Sequence, residues 1–103
     1  MYQYTTPTLP ITIPEVDFSE VSKFRIAIKS GGDEYLLFVV DAADERVDAE
    51  HKTIMLELTQ EQTTQLEIGK GQVQARIVYR SGKVQATQKA NVSINDVIDE
   101  EIV

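Results

Sequence analysis

The sequence predicts an all-β protein built from two packed antiparallel sheets. Several short segments alternate apolar and polar residues with a period of two, turn residues separate these segments, and one position carries a helix-start pattern. These observations predict an antiparallel immunoglobulin-like β-sandwich of six to seven strands with one short helix near residues 60–65. A length of 103 residues fits one sandwich domain over residues 1–103. A small open barrel is the alternative fold, because it would produce the same pattern.

The beginning of the chain predicts an edge strand. Leu9, Ile11 and Ile13 alternate with polar residues, but the three prolines of this segment each remove a donor from the hydrogen-bond ladder. Asp17, which follows, either caps a brief helical turn or lies in a loop.

The next part of the chain predicts a β-hairpin and an exposed connection. Residues 21–29 alternate between apolar and polar side chains, residues 30–33 form a glycine-rich turn, and residues 35–40 are an apolar run of strand length. Residues 41–50 are acidic and contain one apolar residue larger than alanine, so we expect them to lie at the surface.

A further strand and a short helix are predicted in the middle of the chain. Alternation returns over residues 52–58. Thr59 and Gln62 then have the spacing of a capping box, in which each side chain satisfies a free backbone amide of the other residue. We expect a short helix to begin here, with Leu66 and Ile68 anchoring it to the core.

The last third of the chain predicts a long β-hairpin around the turn at Ser81 and Gly82. The residues predicted to face the core are Val73, Ala75, Ile77, Tyr79, Val84, Ala86, Ala90, Val92 and Ile94. Gln88 interrupts this series, which indicates either a β-bulge or the point where the strand runs past the core.

The sequence predicts no catalytic residue, no metal ligand and no cofactor. His51 is the one histidine and lies in a polar segment, so we interpret it as a surface residue and not as a general base. Seventeen acidic residues offer many carboxylate pairs, and none of these pairs is distinctive. The best candidates for a divalent ion are Asp41, Asp44, Glu45, Asp48 and Glu50, which lack the residue order of a calcium loop. The absence of cysteine excludes disulfides and thiol catalysis.

Charge and hydropathy argue against nucleic acid and membranes as partners. The net charge is -7, and the ten Lys and Arg residues are scattered along the sequence, so we expect no basic stripe. No apolar run approaches the roughly 18–20 residues that cross a bilayer. The outward face of the last hairpin is either simply solvated or a wet protein interface. The residues of this candidate interaction surface are Gln72, Gln74, Arg76, Arg80, Gln85, Thr87 and Lys89.

Three blocks of the sequence resemble small structural-module proteins of Gram-positive phages and prophages. These blocks are Leu58–Leu66 (LTQEQTTQL), Gly71–Tyr79 (GQVQARIVY) with the following Ser81 and Gly82, and Val92–Ile98 (VSINDVI). Their order is also similar to the amino-terminal β-sandwich of siphophage upper baseplate proteins. The resemblance implies a role in building or decorating the virion, in the tail or baseplate. It implies other phage structural proteins as partners, and it carries no catalytic residues.

We therefore expect a non-enzymatic phage or prophage protein that acts through protein–protein contacts, with other phage proteins or as a homo-oligomer. The first residues show no signal-peptide pattern, so the expected location is the bacterial host cytoplasm during assembly, and the virion for a particle component. The alternative is a carbohydrate-binding or calcium-dependent adhesion module, which the acidic residues 41–50 and Tyr35 or Tyr79 suggest. A small enzyme of unfamiliar type is the third hypothesis.

Overall fold

The computed structural model describes residues 1–103 and consists mainly of β-strands. The strands are β1 (Thr8–Thr12), β2 (Val21–Ser30), β3 (Leu36–Asp41), β4 (Val47–Asp48), β5 (Thr53–Glu57), β6 (Gly69–Tyr79), β7 (Val84–Ala86) and β8 (Ala90–Ile94). A 3-10 turn at Phe18–Glu20 precedes β2, and helix α1 (Gln60–Thr64) joins β5 to β6. Helix α1 has five residues, and no helix of the structure has the length and apolar character that a membrane crossing requires.

Two antiparallel sheets pack face to face. The three-stranded sheet has the order β1–β5–β4, and the five-stranded sheet has the order β3–β2–β6, with β7 and β8 both paired to the remaining edge of β6. The predicted antiparallel β-sandwich with a short helix near residues 60–65 is confirmed. There are more strands than the predicted six to seven because β4 has only two residues and the last predicted strand is divided into β7 and β8.

The pairing of β2 with β6 supplies the centre of the core. The paired core residues are Phe24 with Ile77, Ile26 with Ala75, and Ile28 with Val73. Antiparallel partners point to the same side of a sheet, so these six side chains all face the three-stranded sheet. There they join Ile54 and Leu56 of β5, which are fully buried. Burying one such side chain contributes about 1.5–3 kcal/mol, so this cluster dominates the stability of the fold.

Local hydrogen bonds define the two short helical segments. Asp17 Oδ1 accepts a hydrogen bond from the Ser19 amide at 3.0 Å and caps the 3-10 turn. The Thr59 hydroxyl oxygen accepts from the Gln62 amide at 3.1 Å, and Gln62 Oε1 accepts from the Thr59 amide at 2.9 Å. This reciprocal pair is the predicted capping box, which is thereby confirmed.

Of the two residues predicted to anchor the helix, only Leu66 does so. Leu66 is buried, whereas Ile68 is 59% exposed. Ile68 immediately precedes β6 and follows the same alternation as Lys70 and Gln72, which face solvent. The prediction for Ile68 is wrong because a residue in this position points away from the core.

A β-bulge divides the last predicted strand into β7 and β8. Ala86 pairs with Arg76, but Ala90 pairs with Val73. The three residues Thr87–Lys89 therefore oppose only two residues of β6, and one residue is extra. Of the two interpretations of the interrupted inward face, the bulge is confirmed.

The bulge reverses which residues of the hairpin face the core. In β8, Val92 and Ile94 pack against the core as predicted. In β7, Val84 pairs with Val78 on the outer side of the sheet, and Ala86 lies on the same side. The prediction that Val84 and Ala86 point inward is wrong, because one additional residue in a strand exchanges its two faces.

Replacing Phe24 with alanine should lower the free energy of unfolding more than the same change at Phe38. Phe24 is fully buried, with its ring centroid 4.8 Å from that of Phe18, whereas Phe38 is only partly buried. We expect a loss of about 3–5 kcal/mol for Phe24→Ala and roughly half that for Phe38→Ala. Urea unfolding followed by circular dichroism measures both changes. Phe24→Leu removes less of the side chain and should lower the free energy of unfolding by a smaller amount. Equal losses at the two positions would contradict this placement of the core.

Candidate functional site

Basic side chains that are far apart in the sequence meet on one surface. We call this surface the outer face: it is the side of the five-stranded sheet that points away from the three-stranded sheet. The register between β2 and β6 puts Arg25 directly opposite Arg76 there. Six of the ten Lys and Arg residues lie on the outer face, namely Lys23, Arg25, Lys29, Lys70, Arg76 and Lys89. Asp41 is the one acidic strand residue on it.

None of these six basic side chains takes part in a salt bridge. The two ion pairs of the chain join Arg46 to Asp44 and His51 to Asp48. Like charges placed directly opposite each other in a sheet repel, so the arginines of β2 and β6 would be stabilised by an anionic group bound between them. The expectation that the basic residues form no stripe is wrong for the folded chain, because strand pairing brings distant residues together.

Apolar side chains lie among these cations. Leu37 and Val39 on β3 are 42% and 50% exposed, and Val84 on β7 is 47% exposed. Tyr35 borders a shallow depression of about 250 Å³ on the same surface, beside Lys29 and two glutamines. Of the polar groups around these apolar side chains, the two arginines belong to a residue type that is enriched at protein interfaces, whereas lysine is depleted there.

The residues predicted to form an interaction surface divide among three places. Four of them lie on the outer face, namely Gln72, Gln74, Arg76 and Lys89. Arg80 and Gln85 instead line a depression at the end of the sandwich, together with Glu15, Asp17 and Glu20. Thr87 lies in the bulge. The structure therefore brings together about half of the predicted set and adds Lys23, Arg25 and Lys29 to it.

Gln85 points to the side opposite to the one predicted. It pairs with Ile77, which faces the core, and its Oε1 accepts a hydrogen bond from the Tyr79 hydroxyl at 2.8 Å. The predicted outward orientation of Gln85 is wrong because the bulge reverses the alternation of β7.

An apolar cleft of about 470 Å³ lies between β1 and the edge formed by β7 and β8. Leu9, Ile11 and Val73 are among the residues that line it. The Thr87 hydroxyl oxygen, at the rim of the cleft, accepts a hydrogen bond from the Ala75 amide at 3.1 Å. Thr87 is therefore held by the backbone of the neighbouring strand.

Two carboxylates of residues 41–50 take part in local contacts. Both oxygens of the Asp44 carboxylate accept hydrogen bonds from the Arg46 guanidinium, each at 3.0 Å. These bonds, together with one from the Arg46 amide, lower the pKa of Asp44 to about 2. Asp48 Oδ2 lies 2.7 Å from Nδ1 of His51, and this hydrogen bond lowers the pKa of Asp48. No group of three or more acidic or histidine side chains converges as metal ligands would.

No protein-family model matches this chain, and no curated protein shows a significant match to it. Its function is therefore inferred from its side chains and their geometry. Among the surfaces described, the outer face has the most charged groups without a partner.

Replacing Arg46 with glutamine should raise the pKa of Asp44 from about 2 toward the ordinary value of 3.8. The rise will be incomplete, because the backbone amide at position 46 still donates to the carboxylate. Arg46→Lys keeps the charge without the two parallel N–H donors and should give an intermediate pKa. A carboxyl carbon NMR titration of the three proteins measures this order, and an unchanged pKa in Arg46→Gln would contradict it.

The sign of the pH effect follows from the lowered pKa. The contact between Asp44 and Arg46 favours the folded chain above the ordinary pKa and is lost as the pH falls through about 2. Both groups are near the surface, so solvent screening keeps this contribution to stability small.

Proposed function

We propose that this chain is a non-enzymatic structural or assembly module of a phage or prophage, of tail or baseplate type, that acts through protein–protein contacts. The outer face is the observation that carries the interaction role. The resemblance of three sequence blocks to phage structural-module proteins supports the placement in a phage particle or its assembly pathway.

The composition of the outer face favours a protein as its partner. Arg25 and Arg76 form the centre of the face, and arginine is among the residues that contribute most to binding at protein interfaces. Leu37 and Val39 lie beside this pair on β3 and would lose exposed apolar surface on binding. The matching partner surface carries carboxylates around a small apolar patch.

The charge of the remaining surface argues against nucleic acid. The outer face holds six basic residues and one acidic residue, which leaves four basic and sixteen acidic residues elsewhere in the chain. A long polyanion that extended past the face would be repelled by this surface. A carboxylate-bearing protein segment is short enough to contact the face alone.

The proposed partners are other phage structural proteins, which meet this chain in the host cytoplasm during assembly. Virion incorporation would follow if the contact persists in the finished particle. The homo-oligomer is a special case of the same protein-binding role.

Reversing the charge of the arginine pair should weaken binding to tail or baseplate proteins of the phage or prophage that carries this chain at least tenfold, since both positions would then repel a carboxylate partner. The variant is Arg25→Glu with Arg76→Glu, and binding is measured by interferometry at low and high salt. The matched control is Arg80→Glu with Lys83→Glu, which has the same change in charge away from the outer face.

We expect the control to bind like the natural chain, and high salt to weaken binding. Equal loss in both variants would contradict the outer face as the site. Failure of every tail or baseplate protein to bind would contradict the phage role.

Carbohydrate binding is the second candidate function, and Tyr35 favours it. An exposed tyrosine beside Gln72 and Gln74 in a shallow depression is a surface on which a sugar ring can stack and form hydrogen bonds. The calcium-dependent form of this hypothesis has no set of convergent ligands to support it.

If the carbohydrate hypothesis is right, the natural chain should bind at least one glycan of a broad array, and Tyr35→Ala should abolish that signal. Tyr2→Ala is the control, since Tyr2 is similarly exposed at 56% and lies outside the depression. No bound glycan, or equal binding by the two variants, would rule out a sugar site at Tyr35.

A further inference from the structure

We propose that the outer face binds the acidic segment, residues 96–103, of a second copy of this chain. The inference rests on the proposed function of the outer face as a protein-binding surface, and it names the partner. The contact would join two different surfaces, so it can repeat from molecule to molecule.

The acidic segment has a charge opposite to that of the outer face, and it exposes apolar groups that can pack against the apolar residues of that face. It follows β8, which ends at Ile94, and lies outside both sheets. Its carboxylates are Asp96, Asp99, Glu100 and Glu101. Ile98 is fully exposed and Val103 is 92% exposed, so the segment presents apolar side chains between its acids.

The dimensions of the two surfaces agree. Four strands lie side by side across the outer face, which makes it roughly 14 Å wide at a spacing of about 4.8 Å. The acidic segment can reach roughly 26 Å when extended, at about 3.3 Å per residue. Once Val103 is released from Gln60 of its own chain, the segment can therefore cross the outer face of a neighbouring molecule. It can then place carboxylates near Arg25 and Arg76 while Ile98 approaches Leu37 or Val39.

The structure directs this segment away from the outer face of its own molecule. Gln60 of α1 holds the end of the segment: its Nε2 donates to the Val103 oxygen at 2.6 Å, and its Oε1 accepts from the Val103 amide at 2.9 Å. Helix α1 connects the two sheets and takes no part in the outer face. The segment therefore does not occupy the outer face of its own molecule, and that face stays free for the segment of a neighbouring molecule.

The test is the solution mass of the full chain, measured by sedimentation equilibrium over a wide concentration range at low and high salt. One variant reverses the outer face, with Arg25→Glu and Arg76→Glu. A second reverses the segment, with Glu100→Lys and Glu101→Lys. The control, Glu45→Lys with Glu50→Lys, makes the same charge change in residues 41–50, and circular dichroism checks that each variant folds.

We expect the natural chain and the control to associate as concentration rises, and to dissociate in high salt. Each reversed variant alone should associate at least tenfold more weakly. An equimolar mixture of the two reversed variants should regain association, because the natural acidic segment of the first variant can bind the natural outer face of the second. The glutamates of the first can also pair with the lysines of the second. A variant that failed to fold as a whole would not produce this rescue.

A natural chain that stays monomeric at millimolar concentration in low salt overturns the inference, and so does a mixture without rescue. If that monomer still binds phage structural proteins through Arg25 and Arg76, the proposed function stands and only the identity of the partner is wrong. Binding of a short DNA duplex by the outer face, without self-association, overturns both.

Discussion

The register between β2 and β6 determines both faces of the five-stranded sheet at once. Phe24 lies beside Ile77 on the inner side, so the next pair along the strands, Arg25 and Arg76, must meet on the outer side. A slip of one residue would move the core to solvent. Burial of one core side chain contributes about 1.5–3 kcal/mol, whereas an exposed cross-strand pair changes stability by roughly 0.2–1 kcal/mol. Hydrophobic burial therefore outweighs the repulsion and imposes the arginine pair.

Segregation of charge makes the net charge a poor guide to what this molecule binds. The chain as a whole carries -7, yet one face of its larger sheet is strongly basic. The acids are concentrated in exposed segments, including residues 41–50 and 96–103. Within the first of these, Asp44 and Asp48 already have local partners. Residues 96–103 form no salt bridge within the chain. They are therefore the stronger candidate to bind the outer face.

Features set by neighbouring residues could be predicted from the sequence, and features set by distant residues could not. The capping box depends on Thr59 and Gln62, three positions apart, so its spacing is readable. The outer face depends on Arg25 meeting Arg76, and nothing local to either residue indicates the other. The sequence shows that Gln88 interrupts the apolar alternation of the last strand. Which side chains of β7 face outward follows only from the pairing of β7 and β8 with β6.

The bulge at Thr87–Lys89 also separates the evolutionary constraints on the two halves of the last hairpin strand. Val84 contributes to the solvent side of the sheet, whereas Val92 and Ile94, at the same alternate positions, contribute to the core. Substitutions in β7 can therefore change the surface chemistry while the interior is preserved. Loss of a single bulge residue would instead turn the core residues of β8 outward. Over many generations, the length of this segment should vary less than its amino-acid identity.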